Sequence, residues 1–133
     1  VAAEVSRRGL TLIRDERGRV LVGQRRPGTH MAGYWEFPGG KRRPDESPRQ
    51  ALDRELLEEL GIRVLRASFM TAFTHRYAQR RVRLQAWRVE RYDGVVVARA
   101  EQPLSWSYPG ELLDLPILPA DAPLVEALLA ERG

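Results

Sequence analysis

Three glutamates in the middle of the chain are the residues best suited to chemistry. If segment 54–60 is helical, a turn of about 100° per residue places Glu55, Glu58 and Glu59 within one arc of roughly 100°. This arc borders the predicted apolar stripe, whereas a solvated face would lie opposite it. Clustered carboxylates at a core edge repel one another, and a divalent cation that prefers oxygen ligands relieves that repulsion. The pattern therefore predicts a Mg²⁺ site. The apolar stripe consists of Leu52, Leu56 and Leu60.

A glycine-rich loop with the one lysine of the chain lies just before these glutamates. Gly39 and Gly40 allow the backbone to turn tightly and to approach a ligand closely, and Lys41 follows them. Glu46 closes this loop against the start of the helix. Arg54 is placed to pair with neighbouring acids and to fix their rotamers. For an isolated Glu-x-x-Glu-Glu pattern, a salt-bridged surface helix would be the alternative explanation.

Two helices are predicted by their ends and by their apolar spacing. Ser47 is a good N-cap, Pro48 suits the first helical position, Gln50 completes a capping box and Gly61 suits the position after the last turn. These signals place the first helix at about 48–60. A second helix at about 122–131 follows from the spacing of Leu124, Val125, Leu128 and Leu129.

The remaining apolar segments favour strands. Residues 1–13 are compatible with a strand that is broken at 6–9, and 20–24 read as the return strand of a hairpin. Further strands are predicted at 34–37, where 38–40 stop the strand, and at 64–74, 81–91 and 104–106. Strands that enclose one helix and precede another predict an α/β fold with a mixed sheet covered on both faces.

The composition sets limits on the class of protein. A chain of 133 residues has the length of one domain, 1–133. The absence of cysteine excludes a disulfide scaffold, a thiol catalyst and a zinc ribbon. No apolar run approaches the roughly 20 residues of a membrane span, and no signal-peptide pattern opens the chain, so we expect a cytoplasmic protein. A net charge of +4 and a pI of about 10.1 favour a phosphorylated or polyanionic partner.

The spacing of the loop and helix residues resembles the signature of the Nudix hydrolase superfamily. Five residues separate Gly40 from Glu46 and seven separate Glu46 from Arg54, after which the sequence reads Glu-Leu-Leu-Glu-Glu-Leu-Gly-Ile. This is the full Nudix box, G-x5-E-x7-R-E-U-x-E-E-x-G-U, in which U is apolar. Segments on both sides are similar to the MutT branch, and others look most like CTP pyrophosphohydrolases and 8-oxo-dGTP diphosphatases. These segments are 24–26, 30–32, 35–41, 45–47, 50–52, 101–103 and 118–121, together with Trp106.

The resemblance implies an α/β/α sandwich and a hydrolase of acid anhydrides. MutT-like members convert a nucleoside triphosphate and water to the monophosphate and diphosphate with Mg²⁺, for which Mn²⁺ can substitute. Carried over by position, Glu55, Glu58, Glu59 and the Gly39 carbonyl hold the metal, and Glu55 is a candidate base. Arg54 would orient the glutamates. The implied phosphate contacts are Lys41, Arg25 and Arg26.

One position departs from the pattern of the MutT branch. Relatives often place a further glutamate two residues before the equivalent of Gln102, where this chain has Ala100. The acid is instead Glu101, and in a strand a shift of one residue points the side chain to the other face. Glu101 is therefore either a further metal ligand or a solvated loop acid.

Base recognition in relatives implies contacts from the Gly40 side of the loop and from the start of the last helix. These positions correspond to Phe37 and Asp121, with Arg80 as a peripheral contact. A core aromatic and a helix N-cap are the alternative roles of Phe37 and Asp121. An ionised aspartate only accepts hydrogen bonds, which suits the amino group of cytosine or the N7–H of 8-oxoguanine. We expect cytosine nucleotides to be preferred, including modified ones, with 8-oxo-dGTP next.

Two other functions compete with this prediction. One is a Nudix hydrolase of another nucleoside diphosphate derivative, such as ADP-ribose; the short chain and the MutT-like flanking segments count against it. A non-catalytic domain that binds nucleotide or nucleic acid fits the high pI and Ala100, but it has no need of Glu55. We therefore expect an enzyme with a small nucleotide as its partner and without a membrane or nucleic-acid partner. Its role would be nucleotide-pool sanitation in DNA repair or the trimming of CTP and dCTP pools, as a monomer or a homodimer.

Overall fold

A computed structural model describes residues 4–77 and 80–131. It has two α-helices, α1 (Pro48–Leu60) and α2 (Ala122–Ala130), and two 3₁₀ turns, Pro109–Asp114 and Pro119–Asp121. The strands in chain order are β1 (Glu4–Ile13), β2 (Val20–Gln24), β3 (Trp35–Glu36), β4 (Gly39–Lys41), β5 (Arg63–Tyr77), β6 (Arg80–Asp93) and β7 (Leu104–Ser107). None of the helices in these ranges is both long enough and apolar enough to cross a bilayer.

The strands form two sheets. The first has the order β4-β1-β6-β5, and β1 runs parallel to β6 whereas the two outer pairs are antiparallel. The second has the order β3-β2-β7 and is antiparallel throughout. The mixed first sheet agrees with the sequence-based prediction. Its parallel pair β1–β6 needs a crossover connection, which includes α1 and β5.

The ends of α1 form as the sequence predicts. The Ser47 hydroxyl accepts a hydrogen bond from the Gln50 amide at 3.1 Å, and the Gln50 side chain accepts one from the Ser47 amide at 2.9 Å. Gly61 ends the helix in the left-handed conformation at φ 70°. The predicted range of 48–60 is confirmed, and the second helix differs from its predicted range only at its last residue.

Two apolar clusters lie on opposite faces of the first sheet. Leu10 and Leu12 of β1 pack with α2 and the alternate residues of β6, whereas Ile13 packs with the buried leucines of α1. The strand β2 contributes to both clusters through Leu21 on one side and Val20 on the other. The layers α1, sheet and α2 therefore form the predicted α/β/α sandwich.

Three sequence-based predictions about strands are wrong in detail. The predicted break at 6–9 is absent, because these residues pair continuously with β6. β2 is not the hairpin partner of β1, to which only the bridge from Arg14 to Val20 connects it. Instead β2 lies in the second sheet, where its first four residues are buried on both sides. The predicted stop at 38–40 contains a further strand, β4, which pairs with β1.

Candidate active site

Arg54 is the centre of a hydrogen-bond network between the loop and α1. Its Nε and Nη2 atoms donate to the two oxygens of Glu46 at 2.5 and 2.8 Å. Its Nη1 donates to Glu55 at 2.9 Å and to Glu58 at 3.3 Å, and Nη2 also donates to the Lys41 carbonyl at 3.2 Å. A bidentate arginine–carboxylate pair fixes direction as well as distance. The network therefore ties the rotamer of Glu55 to the backbone of the loop.

Within this network, Glu46 and Arg54 form an ion pair that shifts the pKa values of both groups. Hydrogen bonds from Arg54 lower the pKa of Glu46 to about 2, helped by the backbone amide of Arg43. The same pairing with Glu46 raises the pKa of the Arg54 guanidinium. Both groups are consequently charged at any pH at which the protein would work.

The two glycines of the loop make this arrangement possible. Gly39 has φ +152°, and a Cβ atom there would lie 1.9 Å from the Gly9 carbonyl oxygen in β1. A Cβ atom on Gly40 would lie 2.4 Å from the carboxyl carbon of Glu55. Any side chain at Gly39 would therefore separate β4 from β1, and any side chain at Gly40 would push Glu55 away from the loop.

Glu59 lies in a small cleft of about 180 Å³ beside this loop. Gly39, Arg25 and Arg26 are among the other residues that line it. Burial, together with the negative charge of Glu55, raises the pKa of the Glu59 carboxyl to about 7. The site thus holds a carboxylate whose ionised form is costly unless a cation lies next to it.

The residues present fit a divalent cation in their chemistry. Glu55 and Glu59 are carboxylates on one side of α1, and hard cations such as Mg²⁺ prefer such oxygen ligands. The structure does not bring a complete ligand set together, because no three histidine, aspartate or glutamate side chains within 4–77 and 80–131 converge in ligating geometry. Glu55 points to Arg54, and Glu58 is 54% exposed.

A larger cleft of about 430 Å³ adjoins the small one. The two clefts share Arg25, Glu36, Phe37 and Gly39. Other charged and aromatic side chains that line the larger cleft are Arg8, His30, Tyr77, Arg80 and Asp121. One elongated molecule can therefore occupy both clefts.

Asp121 forms part of the floor of the larger cleft. Its side chain is buried, with 1% exposure for the residue, and its Oδ2 accepts a hydrogen bond from the Phe37 amide at 2.8 Å. Burial raises the pKa of the Asp121 carboxyl to about 7, although the Phe37 amide acts in the opposite direction. The carboxylate makes no capping bond to α2, so its hydrogen bonding does not support the alternative role as an N-cap. Phe37 both belongs to the core and lines the cleft.

Of the four cationic residues predicted to bind substrate, three line a cleft and one does not. Arg25, which bonds to Glu36 at 3.2 Å and to the His30 carbonyl at 2.6 Å, lines both clefts. Arg26 lines the small cleft and Arg80 the large one. Lys41 is exposed at the end of β4 and lines neither cleft.

The structure separates Glu101 from the glutamates of α1. Its side chain is 84% exposed and lies 3.8 Å from Arg26, and its backbone has a positive φ of 63°. Its neighbours Ala100 and Gln102 line the small cleft, whereas Glu101 does not. This placement agrees with the solvated loop acid of the two alternatives.

Two charged cleft residues were not anticipated from the sequence. Arg8 alternates with Leu10 along β1 and therefore faces the cleft beside the core residues. Glu36 follows Trp35 in β3 and holds Arg25 in place. The signal for Arg8 was its period-two spacing with buried leucines, which the predicted break in the strand concealed.

Comparison with known proteins agrees with this geometry. The family profile described as "NUDIX domain" matches residues 9–127. A CTP pyrophosphohydrolase of Escherichia coli is 44% identical over 116 residues, which cover 87% of this chain and 86% of the relative. An 8-oxo-dGTP diphosphatase of the same organism is 37% identical over 95 residues, or 71% of this chain and 74% of the relative.

Comparison with solved structures supports the same assignment. The crystal structure of a MutT protein from Methanosarcina mazei superposes with a TM-score of 0.85 at 26% identity, covering 99% of this chain and 98% of that protein. The matched fold places the loop and α1 of this chain in a MutT-like framework. The chain therefore belongs to the NUDIX domain family and is a MutT-like hydrolase of phosphorus-containing anhydrides.

Proposed function

We propose that the chain hydrolyses nucleoside triphosphates to the monophosphate and diphosphate, with cytosine nucleotides as preferred substrates. The observation that carries the proposal is the junction of the two clefts at Arg25 and Phe37. A nucleotide laid across this junction has its base against Asp121 and its phosphates beside Glu59. The relative named CTP pyrophosphohydrolase supports the same substrate class.

Mg²⁺ is the cofactor we propose, held by Glu55 and Glu59 with Glu58 and the Gly39 carbonyl as further ligands. When bound, the ion neutralises phosphate charge and lowers the pKa of a coordinated water. Arg54 keeps Glu55 directed at the loop, so that its carboxylate can accept a proton from the attacking water. Arg25 and Arg26 line the small cleft, and their proposed role is to stabilise the charge that develops on the phosphate oxygens.

Base selection rests on the second oxygen of Asp121. The Phe37 amide occupies Oδ2, and within the described residues Oδ1 forms no hydrogen bond. An acceptor at this position of the cleft pairs with an amino group such as N4 of cytosine. Above its pKa of about 7, where the carboxyl is ionised, it faces the O6 atom of guanine unfavourably, because two acceptors repel one another.

8-Oxo-dGTP is the second candidate substrate. Oxidation of guanine adds an N7–H donor, which the same oxygen of Asp121 can accept, and one relative is named 8-oxo-dGTP diphosphatase. The two candidates imply different roles, since cytosine nucleotides point to the trimming of nucleotide pools and the oxidised guanine nucleotide to sanitation.

A substrate panel tests the proposal. The purified protein is incubated with Mg²⁺ and CTP, dCTP, 5-methyl-dCTP, dGTP, 8-oxo-dGTP or ADP-ribose, and kcat/KM is measured from monophosphate and diphosphate release. We expect a cytosine nucleotide to give the highest value, with diphosphate as the second product. Release of orthophosphate would contradict the reaction type, and a higher value for ADP-ribose would contradict the substrate class.

A further inference from the structure

Four arginines surround an open cleft at one end of the first sheet. The cleft has a volume of about 350 Å³ and is lined by Arg7, Arg42, Arg81 and Arg83, together with Thr74 and Gln85. We call the surface formed by these four arginines the arginine face. No residue that lines the two nucleotide clefts belongs to it.

The strand register explains why these arginines share one surface. Arg7 of β1 pairs with Arg83 of β6, and Arg81 lies two residues before Arg83, so all three point to the same side of the sheet. Arg8, the next residue of β1, points to the other side and lines the larger nucleotide cleft. The arginine face therefore lies on the side of the sheet opposite the larger cleft, which is the side that carries α1.

Helix α1 covers only the far end of this side. Ile13, at the end of β1, packs against α1, whereas the Arg7 side chain is exposed. At Gly9, between these two regions, an added Cβ atom would meet nothing within 4 Å. The cleft thus lies next to an open stretch of sheet, and its lining consists of the four arginines with Thr74 and Gln85.

The positive charge of the arginine face has no acidic counterpart within the described part of the chain. None of its four arginines forms an ion pair there, although eight other arginines do. Arg83 reaches the Thr74 hydroxyl at 3.4 Å, which keeps its guanidinium over the cleft. The Nε of Arg81 is buried and donates to no acceptor among the described residues. A phosphate oxygen bound in the cleft would supply an acceptor for this donor.

We propose that the arginine face binds a free oligophosphate chain, such as tripolyphosphate or the phosphate tail of a nucleotide, separately from the nucleotide clefts. Guanidinium groups bind phosphate oxygens through paired N–H donors, and several of them match the charge of linked phosphates. Single-stranded nucleic acid fits this cleft less well as a ligand, because the cleft lining contains no aromatic side chain on which bases could stack. The proposal does not depend on the reaction proposed above.

Binding of tripolyphosphate in the presence of EDTA tests this site. Without a metal, the carboxylates of Glu55 and Glu59 disfavour phosphates in the small cleft. The dissociation constant is measured by calorimetry, and ¹H–¹⁵N spectra follow the arginine Nε–H signals. We expect the Arg81 Nε–H signal to shift on titration, because a phosphate oxygen becomes its acceptor.

Two double variants distinguish binding at this specific cleft from attraction by the net positive charge of the protein. The double variant Arg7→Gln/Arg83→Gln removes two walls of the cleft and should weaken tripolyphosphate binding at least tenfold, as two charge-assisted hydrogen bonds require. The control Arg17→Gln/Arg91→Gln removes the same charge elsewhere and should bind as the unmodified protein does.

Several results would overturn the proposal. Unchanged binding by Arg7→Gln/Arg83→Gln would show that tripolyphosphate binds elsewhere. Equal weakening in Arg17→Gln/Arg91→Gln would show that only the net charge of the protein matters. Failure of tripolyphosphate to bind, with arginine-dependent binding of an oligothymidylate, would assign the face to nucleic acid instead. Thermal unfolding of every variant confirms that a loss of binding is not a loss of fold.

Discussion

Glu46, beside α1, and Asp121, before α2, are carboxylates whose pKa values move in opposite directions. Arg54 holds the pKa of Glu46 at about 2, whereas burial raises that of Asp121 to about 7. The first region is complete in itself, because each charge has a partner that fixes its geometry. The second region contains Asp121, a buried carboxyl group like Glu59, whose pKa is also raised to about 7. The ionised form of such a group is stabilised when a cation or a hydrogen-bond donor binds next to it. We infer that the ion pair of Glu46 and Arg54 positions the site, whereas Asp121 and Glu59 are the groups proposed to contact substrate and metal.

The largest expected effect comes from removing the proposed base while leaving its surroundings in place. Glu55→Gln keeps the side-chain volume and the contact with Arg54 but cannot accept a proton. We expect kcat to fall by roughly 10²–10³-fold while nucleotide binding survives. Steady-state kinetics and equilibrium binding measure the two effects, and Glu126→Gln on the exposed side of α2 is the control. Unchanged hydrolysis by Glu55→Gln would remove Glu55 from the reaction.

Displacing Glu55 without changing its chemistry should have a smaller effect. The added methyl group of Gly40→Ala would collide with the Glu55 carboxylate, so the loop or the side chain must move. We expect activity to drop by roughly 10–100-fold and the free energy of unfolding to fall by about 1–3 kcal/mol.

Gly9→Ala is a matched control for this displacement. Gly9 pairs with Gly40 across β1 and β4, but its added methyl group enters open space. Its free energy of unfolding should stay within about 0.5 kcal/mol of the unmodified protein, as measured by denaturant unfolding. Equal losses in the two variants would show that the strand pair, rather than the position of Glu55, is sensitive.

The smallest effect is on the pH dependence of stability. Between the ordinary pKa of 3.8 and about 7, folded Asp121 holds a proton that the unfolded chain releases, so its contribution makes the protein less stable as pH rises. Asp121→Asn should remove a slope of at most about 1.4 kcal/mol per pH unit in this window, and Glu59 maintains a similar slope. Denaturant unfolding at pH 4 to 8 measures it. Parallel curves for the two proteins would contradict the raised pKa of Asp121.

Glu46→Gln sharpens the comparison because its effect has the opposite sign. The lowered pKa of Glu46 contributes stability above its ordinary value of 4.5, and this contribution is lost as pH falls towards about 2. The variant should therefore be less stable than the unmodified protein at pH 7 and approach it at low pH. A difference that stays constant from pH 7 to pH 2 would contradict the pairing with Arg54.

The features that the sequence predicted well depend on neighbours in the chain. The capping box of Ser47 and Gln50, the terminal Gly61 and the leucine spacing determine α1 locally, and the structure confirms its bounds. Glu46 and Arg54 lie eight residues apart across one helix start, so their pairing was also predictable.

The features that were missed depend on distant parts of the chain. The pairing of β2 with β7 joins segments more than eighty residues apart, and a turn at 15–18 made a hairpin with β1 the simpler interpretation. The same limit applies to Asp121, since its bond to the Phe37 amide spans 84 positions. Composition could show that the chain is basic, but only the strand register places Arg7 beside Arg83.

The ratio of kcat/KM for dCTP to that for 8-oxo-dGTP tests the central claim most directly when it is measured above pH 7, where Asp121 is ionised, on the unmodified protein and on Asp121→Asn. Asparagine keeps an acceptor for the Phe37 amide, but its second polar atom is an NH₂ donor. This donor can bind O6 of a guanine base, which the carboxylate repels. We predict that the unmodified protein favours dCTP and that Asp121→Asn shifts the ratio at least tenfold towards 8-oxo-dGTP, whereas the exposed control Asp114→Asn leaves it unchanged. An unchanged ratio in Asp121→Asn would contradict the claim that this buried carboxylate selects the base.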